Sequence, residues 1–347
     1  MIKYPKVNYI GNKEKIANWI IENLPIKNGK ILDLFAGGCS TSYAFKKHNF
    51  CVYSNDILYS SFCLSKALIE NNNKKLELSI FPQNLELLDT STKQDLSFFY
   101  TNEQYKKISW LSNKLYFDDE VKELASLINY SKTLKDYENF IFLSLLRRAM
   151  IRKLPYSRMC IKWEEIVKFR DEELSYKKYG RRRAYHNITF LEHIFDNLNS
   201  YNQAIFNNFQ NNLSFNLDCF DILKRLDYAD LIYIDPPYPN TMNNYFSFYG
   251  AFDEMLEIKH NNIIDFTKKD IFLNNLKKIF SIAISKTNYI ALSVNNHSKP
   301  HYIDVIESVK SYIKNFQIFE KSHLYKVTGK ERKKQTNEIL IVFDLNN

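Results

Sequence analysis

No stretch of this 347-residue chain approaches the roughly 18 consecutive apolar residues a membrane helix needs, so no membrane partner is expected. The opening stretch, MIKYPKVNYIGNK, carries no apolar core after its first lysine and does not read as a secretory leader. Cysteine is sparse and scattered. Cys39, Cys51, Cys63, Cys160 and Cys219 stand singly, with no CxxC pair. That pattern argues against a zinc frame or a disulfide scaffold and suggests reduced thiols in a cytoplasmic protein. No metal site is expected. Two nucleotide signatures are also missing. Without GxGxxG, a nicotinamide oxidoreductase lacks its phosphate turn; without a closing Gly-Lys-Ser/Thr, there is no phosphate loop.

What is present is globular: 45% of residues are hydrophobic and 25% charged, in a chain long enough for a catalytic domain and a second lobe. The formal charge is +9, which suggests a polyanionic partner. Its distribution is uneven. Between Arg147 and Arg183 stand 13 Lys/Arg against 5 Asp/Glu, so one segment nearly accounts for the whole excess. These cations are interleaved with Tyr156, Trp163, Phe169, Tyr176 and Tyr179, and Tyr185 follows the last of them. Arginines grip phosphates or read guanine edges, and aromatic rings stack on bases. A solvated charged face is the plainer reading of a charge run, but the interleaving favours nucleic-acid contact.

Along the chain, Asn8-Tyr9-Ile10-Gly11-Asn12-Lys13 precedes an amphipathic helix with Ile16, Trp19, Ile20 and Leu24 on one face. Ile31 to Thr41 then reads as a strand, a glycine turn and a helix start, with Asp33 near the strand end and Phe35-Ala36-Gly37-Gly38-Cys39 in the turn. Cys51 to Asp56 then reads as a second strand ending in Asp56, the usual position of an acid that holds ribose hydroxyls. From about 76 to 212 the sheet pattern lapses, and Phe98–Tyr116 and Val121–Leu146 look largely helical. Phe215 to Phe220 reads as a short strand carrying Asp218.

The buried run Leu231-Ile232-Tyr233-Ile234 leads into Asp235-Pro236-Pro237-Tyr238. Two prolines stop the strand and fix φ, so a carboxylate and an aromatic ring leave its end in a set geometry. Such a corner suits a nucleobase amine: Asp235 and a proline-region carbonyl accept its hydrogens while Tyr238 stacks on the ring. The polar stretch Thr241 to Tyr249 could fold over that base. Leu273–Ala283 reads as a helix and Tyr289–Val294 as another buried strand. Two closing strands, Phe316–Tyr325 and Glu338–Phe343, flank the basic stretch 326–334, where Lys330 and Arg332 are candidates for backbone-phosphate contact.

The order NYIGNK, DLFAGGCS, an acid at the next strand end, a basic insertion, LDCF and IDPPY resembles the Dam-like alpha group, the D12 class, of DNA adenine-N6 methyltransferases. GKERKKQTNEILI is similar to that family's closing segment. The resemblance implies an α/β fold: a class I S-adenosylmethionine-dependent methyltransferase domain, Rossmann-like with a mostly parallel sheet, built from 1–75 and 213–347. A mainly helical DNA-recognition lobe, 76–212, would be inserted in it. It implies S-adenosyl-L-methionine as cofactor, held by Tyr9, Lys13, Asp33, Phe35, Ala36, Gly37, Asp56, Asp218, Phe220 and Asp235, with Asp235, Pro236, Pro237 and Tyr238 catalytic. The turn departs from the family's Phe-x-Gly-x-Gly, and Gly38 is expected to take over the second glycine's work.

Double-stranded DNA is the implied partner, its target adenine flipped out of the duplex. Arg152 and Arg158 would read bases; Arg181, Arg182 and Arg183 would hold phosphates. A cytoplasmic, nucleoid-associated monomer is expected. It would be the modification enzyme of a restriction-modification system, with any cognate endonuclease encoded nearby and not stably bound. A cytosine-N4 methyltransferase, an RNA adenine methyltransferase and a non-catalytic DNA-binding protein stay open, although an Asp ahead of Pro-Pro-Tyr, where a Ser is expected for cytosine, argues against the first.

Overall fold

The computed structural model describes residues 2–78, 96–180, 187–239, 245–260, 263–323 and 336–346. They fall into two compact units. One comprises Gly11–Ser65, Asn208–Tyr245 and His260–Asn347; the other comprises Met1–Ile10, Lys66–Asn207 and Phe246–Lys259. Among the described residues, no helix is long and apolar enough to cross a membrane.

The first unit is built on seven strands: β1 (Lys30–Asp33), β2 (Cys51–Asn55), β3 (Leu213–Phe215), β4 (Leu231–Ile234), β5 (Tyr289–Asn295), β6 (Ile313–His323) and β7 (Thr336–Leu345). Their spatial order is β3-β2-β1-β4-β5-β7-β6. The first five run parallel, and β7 pairs antiparallel with both β5 and β6. A sheet buried on both faces demands continuous apolar strands, and β4 meets that demand with four buried residues in a row. Leu32, Ile232, Ile234, Ile290, Leu292 and Ile341 form the sheet side of a core that Leu276, Ile279 and Phe280 of helix Lys269–Ala283 complete. The chain turns from one half of the sheet to the other between β1 and β4, where Leu34 donates its N–H to the Tyr233 carbonyl at 3.0 Å. Ligands of open α/β sheets bind beyond the carboxyl ends of the strands at such a reversal. Before β1, Gly29 has φ +110°, and a Cβ there would lie 2.4 Å from Asp230 Oδ2, the acceptor of the Lys30 N–H at 2.6 Å. Glycine is therefore required where the chain enters the sheet.

One expected strand needs correction, and the two helical stretches take sharper bounds. The stretch read as a strand from Phe215 to Phe220 ends at Phe215, because Asp218 caps the helix Cys219–Arg225 by accepting the N–H groups of Phe220 and Asp221. The helical stretch Val121–Leu146 divides into Asp118–Ser131 and Asp136–Arg152, with Asp136 itself at φ 48°. Phe98–Tyr116 holds only one short helix, Asn102–Ile108, and a single tighter turn, Ser109–Leu111.

The second unit is helical. Asp136–Arg152 packs against Phe190–Ala204, whose start is fixed by Thr189 and Glu192, each side chain holding the other's backbone N–H. Its cations are not all available to a polyanion. Arg147, Arg148, Lys153 and Arg170 are buried. Glu120 gathers Lys153 at 2.8 Å and takes both ends of the Arg170 guanidinium, at 2.7 and 3.2 Å. Burial works against the Glu120 charge, but the hydrogen bond from Arg170 and the charge of Lys153 outweigh it and hold the carboxyl below its usual range. A depressed carboxyl pKa contributes stability above the unfolded-state range that is lost as pH falls through the folded value. Glu120→Gln would leave two buried cations uncompensated. We expect a loss of about 3–5 kcal/mol in urea unfolding at neutral pH, shrinking on acidification. A melt indistinguishable from wild type would show that these cations are not held by this carboxylate.

Candidate active site

The prolines end β4 as the sequence requires, and the Asp235 carboxylate emerges beside β1, β5 and β7. Its Oδ2 is 2.7 Å from Lys13 Nζ, which is also 3.5 Å from Glu338 Oε1 on β7. Ser293 of β5 donates its hydroxyl to the same Glu338 oxygen at 2.7 Å. The Tyr238 hydroxyl lies 2.6 Å from Asp235 Oδ1 and also within reach of the Ser293 carbonyl, so one proton is shared between two acceptors. The side chains of Lys13 and Glu338 are 5% and 1% exposed, and that of Asp235 17%. One ammonium thus serves two carboxylates in a nearly dry setting. Burial raises the Asp235 pKa, Lys13 opposes the rise, and the Glu338 charge adds to it.

At the end of β1, Asp33 is also buried. Ser42 donates to its Oδ2 at 2.6 Å, while Oδ1 has no hydrogen-bond partner among the described residues. Burial pushes this carboxyl up to about 7, against the Ser42 hydrogen bond and with help from the charges of Asp235 and Asp56. A buried acceptor without a donor is costly, and a ligand ammonium would satisfy it. The turn beyond is tied to β2: Ala36 donates its N–H to the Asn55 carbonyl at 2.8 Å, and Gly37 donates to Asp56 Oδ2 at 2.7 Å. Asp56 Oδ1 accepts the Leu58 N–H at 2.9 Å. Phe35 is half-buried, edge-on to Phe266 with ring centroids 5.3 Å apart. Gly37 takes a left-handed conformation (φ 51°), and so does Cys39 (φ 59°), whereas Gly38 does not. The expectation for Gly38 is therefore corrected. Cys39, buried with its thiol near the carbonyls of Gly37 and Ser61, carries the left-handed step into helix Ser40–Lys47.

Asp218, half-buried at its helix cap, has its pKa raised by burial first. Phe220 is buried in the core, with Lys278 Nζ 4.0 Å from its ring centroid. Tyr9 falls in the helical unit. It stacks on Tyr249 with centroids 4.7 Å apart, and the Arg147 guanidinium lies 5.3 and 4.5 Å from the two rings. Arg147 also donates to the Val7 carbonyl at 2.7 Å, and Tyr249 accepts the Ile10 N–H at 2.8 Å. Arg152 and Arg158 are half-buried in that unit, Arg158 lying 5.5 Å from the Tyr156 ring and 5.7 Å from that of Phe248. Arg181, Arg182, Arg183, Lys330 and Arg332 lie outside the described residues, as does 241–244 of the stretch expected to cover a base.

The structure thus brings Lys13, Asp235 and Tyr238 together and sets Asp33 and Asp56 around the first turn. Sequence reasoning missed Ser42, Ser293 and Glu338. Glu338 lies in NEILI, where an acid directly ahead of the apolar run Ile339–Phe343 was the available signal.

The family model for D12 class N6 adenine-specific DNA methyltransferases matches residues 9–327. The chain is similar to the type II methyltransferase M2.HphI of Haemophilus parahaemolyticus, at 41% identity over 99% of this chain and 98% of that protein. It is also similar to the type II methyltransferase M.FokI of Planomicrobium okeanokoites, at 24% identity over 94% of this chain and 49% of that one. The modification methylase StsI of Streptococcus sanguinis is 25% identical over 76% of this chain and 38% of its own length.

Proposed function

This chain belongs to the D12 class N6 adenine-specific DNA methyltransferases, and from that premise we propose that its methyl donor is S-adenosyl-L-methionine and that the Asp235–Tyr238 corner holds the target amine. The observation that carries this reading is the Asp235 carboxylate at the reversal between β1 and β4, set between Lys13 and Tyr238. When bound, the donor supplies a methyl group on a positively charged sulfur, an electrophile that needs no activation by a metal. The donor's amino-acid ammonium fits Asp33 Oδ1, which has no partner among the described residues. Phe35, Ala36 and Gly37 would line it, Asp56 would hold the ribose, and Asp218 with Phe220 the adenine side. Tyr9 and Lys13 complete the assignment by family resemblance.

The adenine leaves the duplex, because its amino group is otherwise paired. Asp235 and the Pro236 carbonyl accept its two N6 hydrogens and turn the nitrogen lone pair towards the methyl group. The Tyr238 ring stacks on the flipped base. Catalysis is then positioning and electrostatics. We assign target recognition to the segment 76–212, with Arg152 and Arg158 reading bases and Arg181–Arg183, Lys330 and Arg332 holding phosphates. The relatives' names support a place as the modification enzyme of a restriction-modification system. We further propose that it acts as a cytoplasmic monomer beside a separately encoded endonuclease.

Calorimetric titration with S-adenosylmethionine tests the donor assignment. Wild-type protein should bind it, and Asp33→Asn should lose roughly tenfold to hundredfold in affinity, the range for a hydrogen bond between charged groups. Equal affinity would take Asp33 out of the site, and no binding by the wild type would overturn the donor.

A further inference from the structure

Glu338 has no role in the mechanism so far, yet it is the most buried member of the charged cluster. Its side chain is 1% exposed, on a strand whose other described residues from Ile339 to Phe343 are apolar and buried. A carboxylate in such a place needs a partner. It has Lys13 at 3.5 Å and the Ser293 hydroxyl at 2.7 Å, and the same ammonium sits 2.7 Å from Asp235. Lys13 with Asp235 alone would be a neutral pair. With Glu338 the cluster carries two negative charges against one positive.

That surplus matters for the reaction proposed above, on which this inference rests. As N6 bonds to the methyl carbon through its lone pair, the electron pair of the breaking bond returns to the donor sulfur. N6 then bears a positive charge until it passes one proton to the Asp235 carboxylate. A carboxylate neutralised by a contact ion pair is a weak acceptor for such a nitrogen. We propose that Glu338 is a positioning residue: it offers Lys13 a second carboxylate, so that the ammonium can lean away from Asp235 and leave that charge to the reacting amine. Ser293 keeps Glu338 turned towards Lys13 for this purpose.

The test is Glu338→Gln, which preserves shape and removes the charge. Turnover at saturating DNA and donor should fall roughly tenfold to hundredfold, the scale of a misplaced reacting group. KM for DNA and affinity for S-adenosylmethionine should stay within about twofold, and Glu338→Asp should recover part of the loss. A pH profile separates this from a merely structural role. The groups facing Asp235 are Lys13, Asp33 of β1, Tyr233 and Tyr238 around β4, and Glu338 of β7. Because the Glu338 charge raises the Asp235 pKa, its removal should move the acid limb of turnover to lower pH.

Asp235→Asn is the parallel control. If it keeps turnover, the reading of the site fails. If it is inactive while Glu338→Gln keeps turnover within about twofold, the site stands and the positioning role is overturned. Should Glu338→Gln not fold, Ser293→Ala replaces it: a several-fold fall in turnover with unchanged KM supports the role, and unchanged turnover overturns it.

Discussion

Asp235→Asn should abolish methyl transfer while leaving the fold and donor binding largely intact. The amide keeps the shape of the carboxylate but presents one acceptor where there were two and carries no charge to balance the cation developing on N6. Losing a preorganised electrostatic group of this kind costs roughly a hundredfold to a thousandfold in turnover. The substitution also releases Lys13, whose ammonium still has Glu338 at 3.5 Å, so the cluster does not collapse into an unpaired buried cation. Single-turnover methylation with tritiated donor measures the loss, and calorimetry measures donor affinity in the same preparation. Turnover above about a tenth of wild type would be incompatible with an amine held by this carboxylate.

Lys13→Met should have the second largest effect, with a pH signature of its own. It leaves half-buried Asp235 and buried Glu338 as neighbouring carboxylates without their shared cation. Like charges in a dry site cannot both ionise readily, so the pair is expected to retain a proton above the ordinary carboxylate range. Turnover at neutral pH should fall roughly a hundredfold, as for a lost electrostatic group. Part of it should return as the pH is raised and Asp235 ionises again. Stability should move the other way. A carboxyl whose folded-state pKa is raised binds more protons folded than unfolded, so stability falls as pH rises from the ordinary carboxylate range through the raised value. The cost of the uncompensated charge is about 3–5 kcal/mol at the alkaline end. Urea unfolding between acidic and alkaline pH reads it directly. A variant whose stability rises with pH would show that Lys13 is not the cation of this pair.

Much of this arrangement is legible in the chain because short-range rules dominate it. The run Leu231–Ile234 is apolar throughout because a parallel strand is buried on both faces, and the prolines after Asp235 leave no freedom to continue it. Asp33, Asp56 and Asp235 show because each stands just where a β pattern stops. Glu338 did not, since its meaning depends on β7 lying antiparallel beside β5, where it pairs with Asn295 forty-three positions earlier in the chain. Asp218 was misread because its capping role is satisfied by the two amides that follow it, which overrides the β propensity around it. The segment Arg147–Arg183 is the clearest limit. Its composition reads as one basic surface, but four of its cations are buried, and Glu120, well outside the segment, holds two of them. Composition cannot separate a cation turned outwards from one folded in. The family match settles what the residues left open, placing the methyl group on adenine N6 rather than cytosine N4 or RNA.

We propose that Asp235 presents the N6 amine of a DNA adenine to the methyl donor. Base-resolved modification sequencing of DNA from a methylation-free host expressing either wild-type protein or Asp235→Asn tests it most directly. The expected result is N6-methyladenine at one recognition sequence with wild type and none with the variant. Cytosine modification, or N6-methyladenine that persists at that sequence with Asp235→Asn, would contradict it.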